Sequence, residues 1–253
     1  MAETQTRFTT EGLVIKEINV GESDRLVTLF TREYGILKAF APGAKSIKSK
    51  KGTATSLLTY SNFTIQRKKD TMRIMEASPI SVFFSLGSDI EILSISQYFC
   101  ELCLYFAQPE IKNEEMLRLV LNSLHFLTKE KRYPPLIKAI TELRMSTLSG
   151  YAPNLIACEN CGRFEDDIMF FDFSEGTLCC KECTPKPNAV SVDLSVLSAM
   201  RHIVYSEFKK LYSFEVSEKT ADRLSQITQR YIMLQSDQRF SALELYLTIK
   251  EKL

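Results

Sequence analysis

Residues 8–43, FTTEGLVIKEINVGESDRLVTLFTREYGILKAFAPG, set short runs of β-branched and apolar side chains between turn residues. Phe8 to Ile18 makes one run and stops at Asn19-Val20-Gly21. Leu26, Val27, Leu29 and Phe30 form a second, ended by Glu33-Tyr34-Gly35. Ile36 to Ala41 makes a third, stopped by Pro42-Gly43. Glycine admits left-handed turns and proline removes a ladder donor, so each break is a physical stop. Further on, Tyr60, Phe63 and Ile65 support a fourth strand. Met72, Ile74 and Met75 support a fifth, expected to end at Ser78-Pro79. Five short strands separated by turns predict a small antiparallel barrel or sandwich over residues 1–80. A long Lys-rich connection, Gly43 to Ser56, falls between strands three and four. Barrels of this size carry their ligands on one sheet face and the loops beside it.

The period changes after Ser81. Ser88-Asp89-Ile90-Glu91 has the form of a capping box, and Ile92, Ile95, Phe99, Leu102, Cys103 and Phe106 follow as a helical stripe up to Pro109. Asn113 is placed to cap a second helix bearing Met116, Leu117, Val120, Leu121, Leu124 and Leu127. Pro134 and Pro135 suit the first turn of a third, which stops at Gly150. Asp193 opens a helix running through Val204 to Phe208, Ser217 opens another through Ile232, and Phe240 to Ile249 forms a last one. The expected organisation is multi-domain α+β. A barrel (1–80) and a helical domain in two parts (81–154 and 188–253) flank a small inserted module at 155–187.

The chain has 253 residues, 45% hydrophobic and 25% charged, with nine Gly and eight Pro, a mix that excludes a disordered or collagen-like protein. No apolar run reaches the roughly 18 residues of a membrane span, and the first residues lack a signal-peptide profile, so a cytoplasmic protein without a membrane partner is expected. The net charge of +1 hides an asymmetry. Residues 1–80 hold 13 basic and 8 acidic side chains, whereas residues 81–253 hold 19 and 23. Between Tyr34 and Lys69 there are eight basic residues and no acid. Such a field attracts polyanions although the protein as a whole is nearly uncharged.

Seven cysteines without an export signal fit metal binding or free thiols better than a disulfide framework. Cys158-x2-Cys161 and Cys180-x2-Cys183 stand 18 residues apart. A two-residue gap turns both thiolates of a pair toward one point, and two such pairs predict a tetrahedral Zn²⁺ site. Gly162 permits the tight turn after the first pair, and Met169 to Gly176 reads as a hairpin between the two. Cys179 is a neighbouring thiol able to stand in for Cys180. Residues 155–187 carry three basic and seven acidic side chains. A four-thiolate zinc centre adds roughly −2 more, so this module repels phosphate and is expected to be structural or protein-facing. Cys100 and Cys103 share the spacing but lie in an apolar helix stripe, where free thiols pack as small hydrophobes.

A search for catalytic groups returns little. His125 and His202 lie in helical stretches away from any metal spacing, and Gly43-Ala44-Lys45-Ser46 lacks the upstream glycine and Gly-Lys step of a P-loop. An enzyme is not expected.

The order of barrel, helical body and inserted four-cysteine finger resembles the bacterial RecO family of recombination mediators. The match is carried by Gly21-Glu22-Ser23-Asp24-Arg25-Leu26-Val27-Thr28-Leu29-Phe30, by Tyr34-Gly35, by the Gly43-Ala44-Lys45 turn, and by Gly150 to Pro153 leading through Leu155 into Cys158. The resemblance spans almost the whole chain and implies an OB-fold barrel, a helical domain and a zinc finger. It also implies binding of single- and double-stranded DNA, annealing of complementary strands, and work with RecR, single-strand-binding protein, RecF and RecA at the nucleoid. A different binding class, an OB-plus-zinc adaptor for RNA or for a transcription or translation complex, stands as the alternative. Lys45, Lys48, Lys50 and Lys51 are the expected phosphate contacts, joined by Arg67, Lys68, Lys69 and Arg73, with Lys38 and Arg25 as weaker ones. Tyr34, Phe40, Tyr60 and Phe63 are the aromatics available for stacking bases, unless the barrel core claims them.

Overall fold

Alternate side chains of the first 80 residues turn inward and close on one another. The computed structural model describes residues 6–46, 49, 51–84, 89–183 and 185–251. Strands β1 (Thr6–Val20), β2 (Asp24–Thr31), β3 (Gly35–Ala41), β4 (Thr59–Lys68) and β5 (Thr71–Val82) form a closed barrel in the order β1-β2-β3-β5-β4. Neighbours run antiparallel except β3 and β5, which meet in parallel at Phe40 and Arg73. An irregularity between Val14 and Lys16 bends β1, which pairs with β4 through its first half and with β2 through its second. Val14, Val27, Leu29, Leu37, Ala39, Phe63, Ile65 and Ile74 fill the interior, joined by Ala44 from the loop after β3. Each buried Val, Leu, Ile or Phe among them contributes roughly 1.5–3 kcal/mol.

The fifth strand does not end at Ser78-Pro79. It continues to Val82, and Pro79 faces Ser61 where the register shifts between Tyr60 and Ser61. A bulge relieves the ladder of the donor proline lacks, so proline is tolerated there. At Gly35 the backbone has φ +61°, and an added Cβ would meet the Ile111 carbonyl oxygen, so glycine is required by both conformation and space.

The described chain divides into two compact units, Met1–Glu130 with Phe240–Leu253, and Lys131–Arg239. The first adds α1 (Ile90–Phe106), α2 (Glu114–Thr128) and α6 (Ser241–Lys250) to the barrel. Ser88 lies outside the described residues. Asp89 is the residue that caps α1, accepting from the Glu91 N–H at 2.8 Å. Asn113 caps α2 as expected, accepting from Met116 N–H at 3.1 Å. The start of α6 is closed from a distance, because the Glu101 carboxylate accepts from Ser241 Oγ and from Ala242 N–H.

The second unit holds α3 (Pro134–Leu148), α4 (Leu194–Tyr205), α5 (Glu218–Ser236) and a four-stranded sheet. Its strands β6 (Asn154–Cys158), β7 (Ile168–Asp172), β8 (Thr177–Cys180) and β9 (Val190–Asp193) lie in the order β6-β8-β7-β9. Asp193 and Ser217 cap α4 and α5 as expected. Helix α4 stops at Tyr205, not Phe208. Ser206 is extended, and Phe208–Lys210 form a separate 3-10 turn. Between α3 and α5 lies a fully buried ion pair absent from the sequence reading. Lys138 Nζ sits 2.9 Å from Glu142 Oε1, Lys138 also donates to Ser225 Oγ at 3.2 Å, and Thr228 Oγ1 donates to Glu142 Oε2 at 2.7 Å.

Candidate nucleic-acid interface and metal centre

Inner positions of β3 are taken by Leu37, Ala39 and Ala41, so Lys38 and Phe40 point outward. Arg73 does the same on β5, between the buried Met72 and Ile74. The β3–β5 register sets Arg73 directly beside Phe40, and Phe40 faces Leu26 across β2. Two residues back along the parallel strands stand Lys38 and Thr71, and Thr71 faces Lys68 of β4. The outer face of β3, β5 and β4 therefore carries Lys38, Arg73 and Lys68 around a half-buried aromatic ring. Lys69 turns the β4–β5 hairpin at φ +53° and is exposed.

The loop after β3 carries further charge. Lys45 is exposed, and neither Lys38 nor Lys45 has an ion-pair partner among the described residues. Lys48 and Lys50 lie outside the described residues. Lys51 is half-buried with Nζ 3.5 Å from the Ile74 carbonyl. Burial pushes the Lys51 pKa down, and the neighbouring Arg73 charge pushes it further, with Asp24 opposing. Two cations thus sit within reach of each other with Asp24 nearby, an arrangement that a phosphate would relieve. An open cleft of about 560 Å³ beside them is lined by Lys51, Thr9, Asn62, Thr64, Met75 and Glu76.

Two expected contacts are used elsewhere. Arg67 Nη2 lies 2.9 Å from Glu110 Oε1, so its charge is offset by a carboxylate from the segment after α1. Arg25 turns toward the loop, where its Nη1 donates to the Gly52 carbonyl at 2.8 Å, Ser56 Oγ at 3.0 Å and Thr55 Oγ1 at 3.3 Å. Neither use is visible in sequence, because both partners are distant along the chain. Of the four aromatics, Phe63 is in the barrel core. The Tyr60 hydroxyl donates to Glu11 at 2.7 Å, and burial together with that carboxylate pushes the phenol pKa upward. Tyr34 packs on Phe8 with ring centroids 4.6 Å apart. Phe40 alone lies on the cationic face.

In the second unit the sulfurs of Cys158, Cys161, Cys180 and Cys183 all lie within 4.8 Å of one another, and those of Cys161 and Cys180 are 3.6 Å apart. Zinc–sulfur bonds of about 2.3 Å place the corners of a tetrahedron about 3.8 Å apart, so the quartet suits a zinc ion. Burial opposes ionisation of Cys158, but the backbone N–H groups of Cys180, Cys161 and Asn160 outweigh it and bring the thiol down to about 6. A thiol held that low is ready to act as a thiolate ligand. Cys179 stands outside the quartet, donating to the Cys183 carbonyl at 3.3 Å. Its hairpin is as expected, closed by Asp172 Oδ1, which accepts from the N–H groups of Ser174 and Glu175. Arg201 ties this sheet to α4 through the carbonyls of Leu155, Ile156 and Phe164. Within residues 155–187, Arg163 pairs with Asp166 and Glu182, and Lys186 with Glu159 and Asp172, so little positive charge is left over. Cys100 and Cys103 are buried in α1, and burial pushes both thiols well up. No described helix is long and apolar enough to cross a membrane.

Comparison with known proteins points one way. A family model described as Recombination protein O N terminal matches residues 1–83, and one described as Recombination protein O C terminal matches residues 87–244. DNA repair protein RecO of Acetivibrio thermocellus is 33% identical over 241 residues, covering 95% of this chain and 96% of that protein. Its counterpart in Caldicellulosiruptor bescii is 31% identical, covering 90% and 93%. The one from Caldicellulosiruptor saccharolyticus is 30% identical, covering 95% and 98%.

Proposed function

The chain belongs to the RecO family of DNA repair proteins, which are mediators and not enzymes, and from that premise we propose that its barrel grips DNA backbone and anneals complementary strands. The supporting observation is the outward face of β3 and β5. There Lys38 and Arg73 flank Phe40, and Arg73 and the half-buried Lys51 stand together with Asp24 as their nearby counter-charge. Lys45, Lys68 and Lys69 extend the face, and Lys48 and Lys50 of the same loop belong to the proposal by their charge. Ammonium and guanidinium groups of this kind hold phosphates without reading bases, as annealing of any complementary pair demands. Neutralising two strands at once lowers their mutual repulsion, and Phe40 offers one ring for a base to stack on. Arg67, half-exposed in its pair with Glu110, belongs to the proposal as well, and Arg25, engaged by the loop, is a weaker contact.

The partners follow the same reading. We propose single- and double-stranded DNA as the ligands. RecR and single-strand-binding protein are the protein partners, and RecF and RecA the wider machinery, in the cytoplasm at the nucleoid. Cys158, Cys161, Cys180 and Cys183 hold one structural Zn²⁺ in this proposal. Four sulfurs leave no open position for water, so the ion braces the sheet and takes no part in chemistry.

The test is binding of labelled oligo-dT, a structured RNA of equal length, and a strand-annealing assay. Binding of oligo-dT with annealing of complementary strands supports the reading. A Lys38→Glu, Arg73→Glu variant is expected to lose about 25-fold in oligo-dT affinity at 0.1 M salt and to flatten the salt slope by about 1.4, from about 0.7 per lost contact. Tighter binding of the RNA with no annealing would instead favour an RNA adaptor.

A further inference from the structure

At the start of β2 the side chains of Asp24 and Arg25 and the main-chain carbonyl of Ser23 reach the connection that carries the lysines. Asp24 Oδ1 accepts from the Gly43 N–H at 2.7 Å and from Ser23 Oγ at 3.0 Å. The Ser23 carbonyl accepts from the Lys45 N–H at 2.8 Å. Arg25 holds the far end of the same connection through Gly52, Thr55 and Ser56. Glu17, 3.9 Å from Arg25, accepts from the Leu57 N–H at 2.8 Å. Gly43, Lys45 and Gly52 are thereby tied to consecutive residues at the start of one strand. Main-chain points held this way lose conformational freedom before any ligand arrives.

We infer that Asp24 and Arg25, supported by Glu17, are positioning residues that hold the loop stretches beside Lys45 and Lys51 in place for nucleic acid. This inference rests on the DNA-binding reading given above. It makes Asp24 a carboxylate that helps a polyanion bind, although it lies within electrostatic reach of Lys51 and Arg73. Charge counting alone gives the opposite sign, since deleting a carboxylate beside two cations strengthens their pull on phosphate. The two accounts therefore separate on one substitution. Arg25 acts by its reach, since Nη1 alone meets all three acceptors, and a lysine of equal charge ends one bond short of that point.

The experiment measures oligo-dT affinity, its salt slope and amide hydrogen exchange of residues 43–57 for the full chain and four variants. Asp24→Ala is expected to weaken binding about fivefold or more and to flatten the salt slope by about 0.7–1.4, one to two contacts on a single strand. Asp24→Asn keeps the acceptor oxygen and sheds the charge, so it is expected to bind at least as tightly as the parent. Arg25→Lys is expected to weaken binding as Asp24→Ala does, with faster exchange in residues 43–57 in the absence of DNA. Should Asp24→Ala not be recovered folded, Arg25→Lys against Asp24→Asn still decides. Affinity unchanged or tightened in both Asp24→Ala and Arg25→Lys overturns the positioning role. The Lys38→Glu, Arg73→Glu variant separates the two failures. If it weakens binding while Asp24→Ala and Arg25→Lys do not, only the positioning role falls. If it too binds as the parent does, the DNA-binding reading falls and takes the positioning role with it.

Discussion

Replacing Cys158 and Cys161 by serine is expected to remove one equivalent of zinc and to unfold the β6–β9 sheet while the barrel stays folded. The reason is scale. A module of about 33 residues buries too little apolar surface to stand alone, and zinc binding by four thiolates supplies on the order of 10 kcal/mol in small zinc domains. Serine offers neither the soft donor nor the low pKa that the surrounding N–H groups give Cys158. The sheet is anchored to α4 by Arg201, so its loss removes cover from that helix and lowers the melting temperature of the second unit. Elemental analysis and a thermal melt followed by hydrogen exchange check this. DNA affinity should stay within about twofold, because the module's net negative charge repels phosphate. A double variant as stable as the parent, with no metal in either protein, contradicts the zinc assignment.

Lys138→Met is expected to cost about 3–5 kcal/mol of stability, the usual loss when one member of a buried ion pair is removed. Both side chains of the pair are fully buried, so the Glu142 carboxylate, which also accepts from Thr228, would lose its buried counter-charge. Replacing both partners removes the stranded charge. Lys138→Met with Glu142→Leu is therefore expected to recover most of the loss, giving a coupling energy far larger than that of an exposed pair. Urea unfolding of the two single variants and the double variant measures it. Near-additive effects would mean that the pair is screened by water and not buried as a unit.

What the sequence made legible was local. Asn113, Asp193 and Ser217 cap their helices because a cap is decided within three residues, and the two Cys-x2-Cys pairs meet because each is set by one tight turn. The barrel strands were readable from alternation. Where partners come from far along the chain, the reading ran out. Pro79 is carried inside β5 by a bulge in its ladder with β4, which no feature of residues 71–82 announces. Arg25 and Arg67 look like surface cations in one dimension, and only folding shows the loop carbonyl and the Glu110 carboxylate that engage them. The bond from the Gly43 N–H to Asp24 has no local signal for the same reason, since its two partners are far apart along the chain. The return of α6 to the first unit, fastened by Glu101, has no local signal either. Phe40 differed from Phe63 only by strand parity, and the register settles which of them faces out.

Lysine reactivity tests the central claim most directly, by acetylating the folded protein with and without saturating oligo-dT and reading each site by mass spectrometry. Lys38 and Lys45, both exposed in the free protein, are predicted to be shielded by the oligonucleotide while Lys181 and Lys186 react unchanged. Equal reaction of Lys38 and Lys45 in both samples, with shielding confined to lysines beyond the barrel, would contradict a nucleic-acid grip on the β3–β5 face.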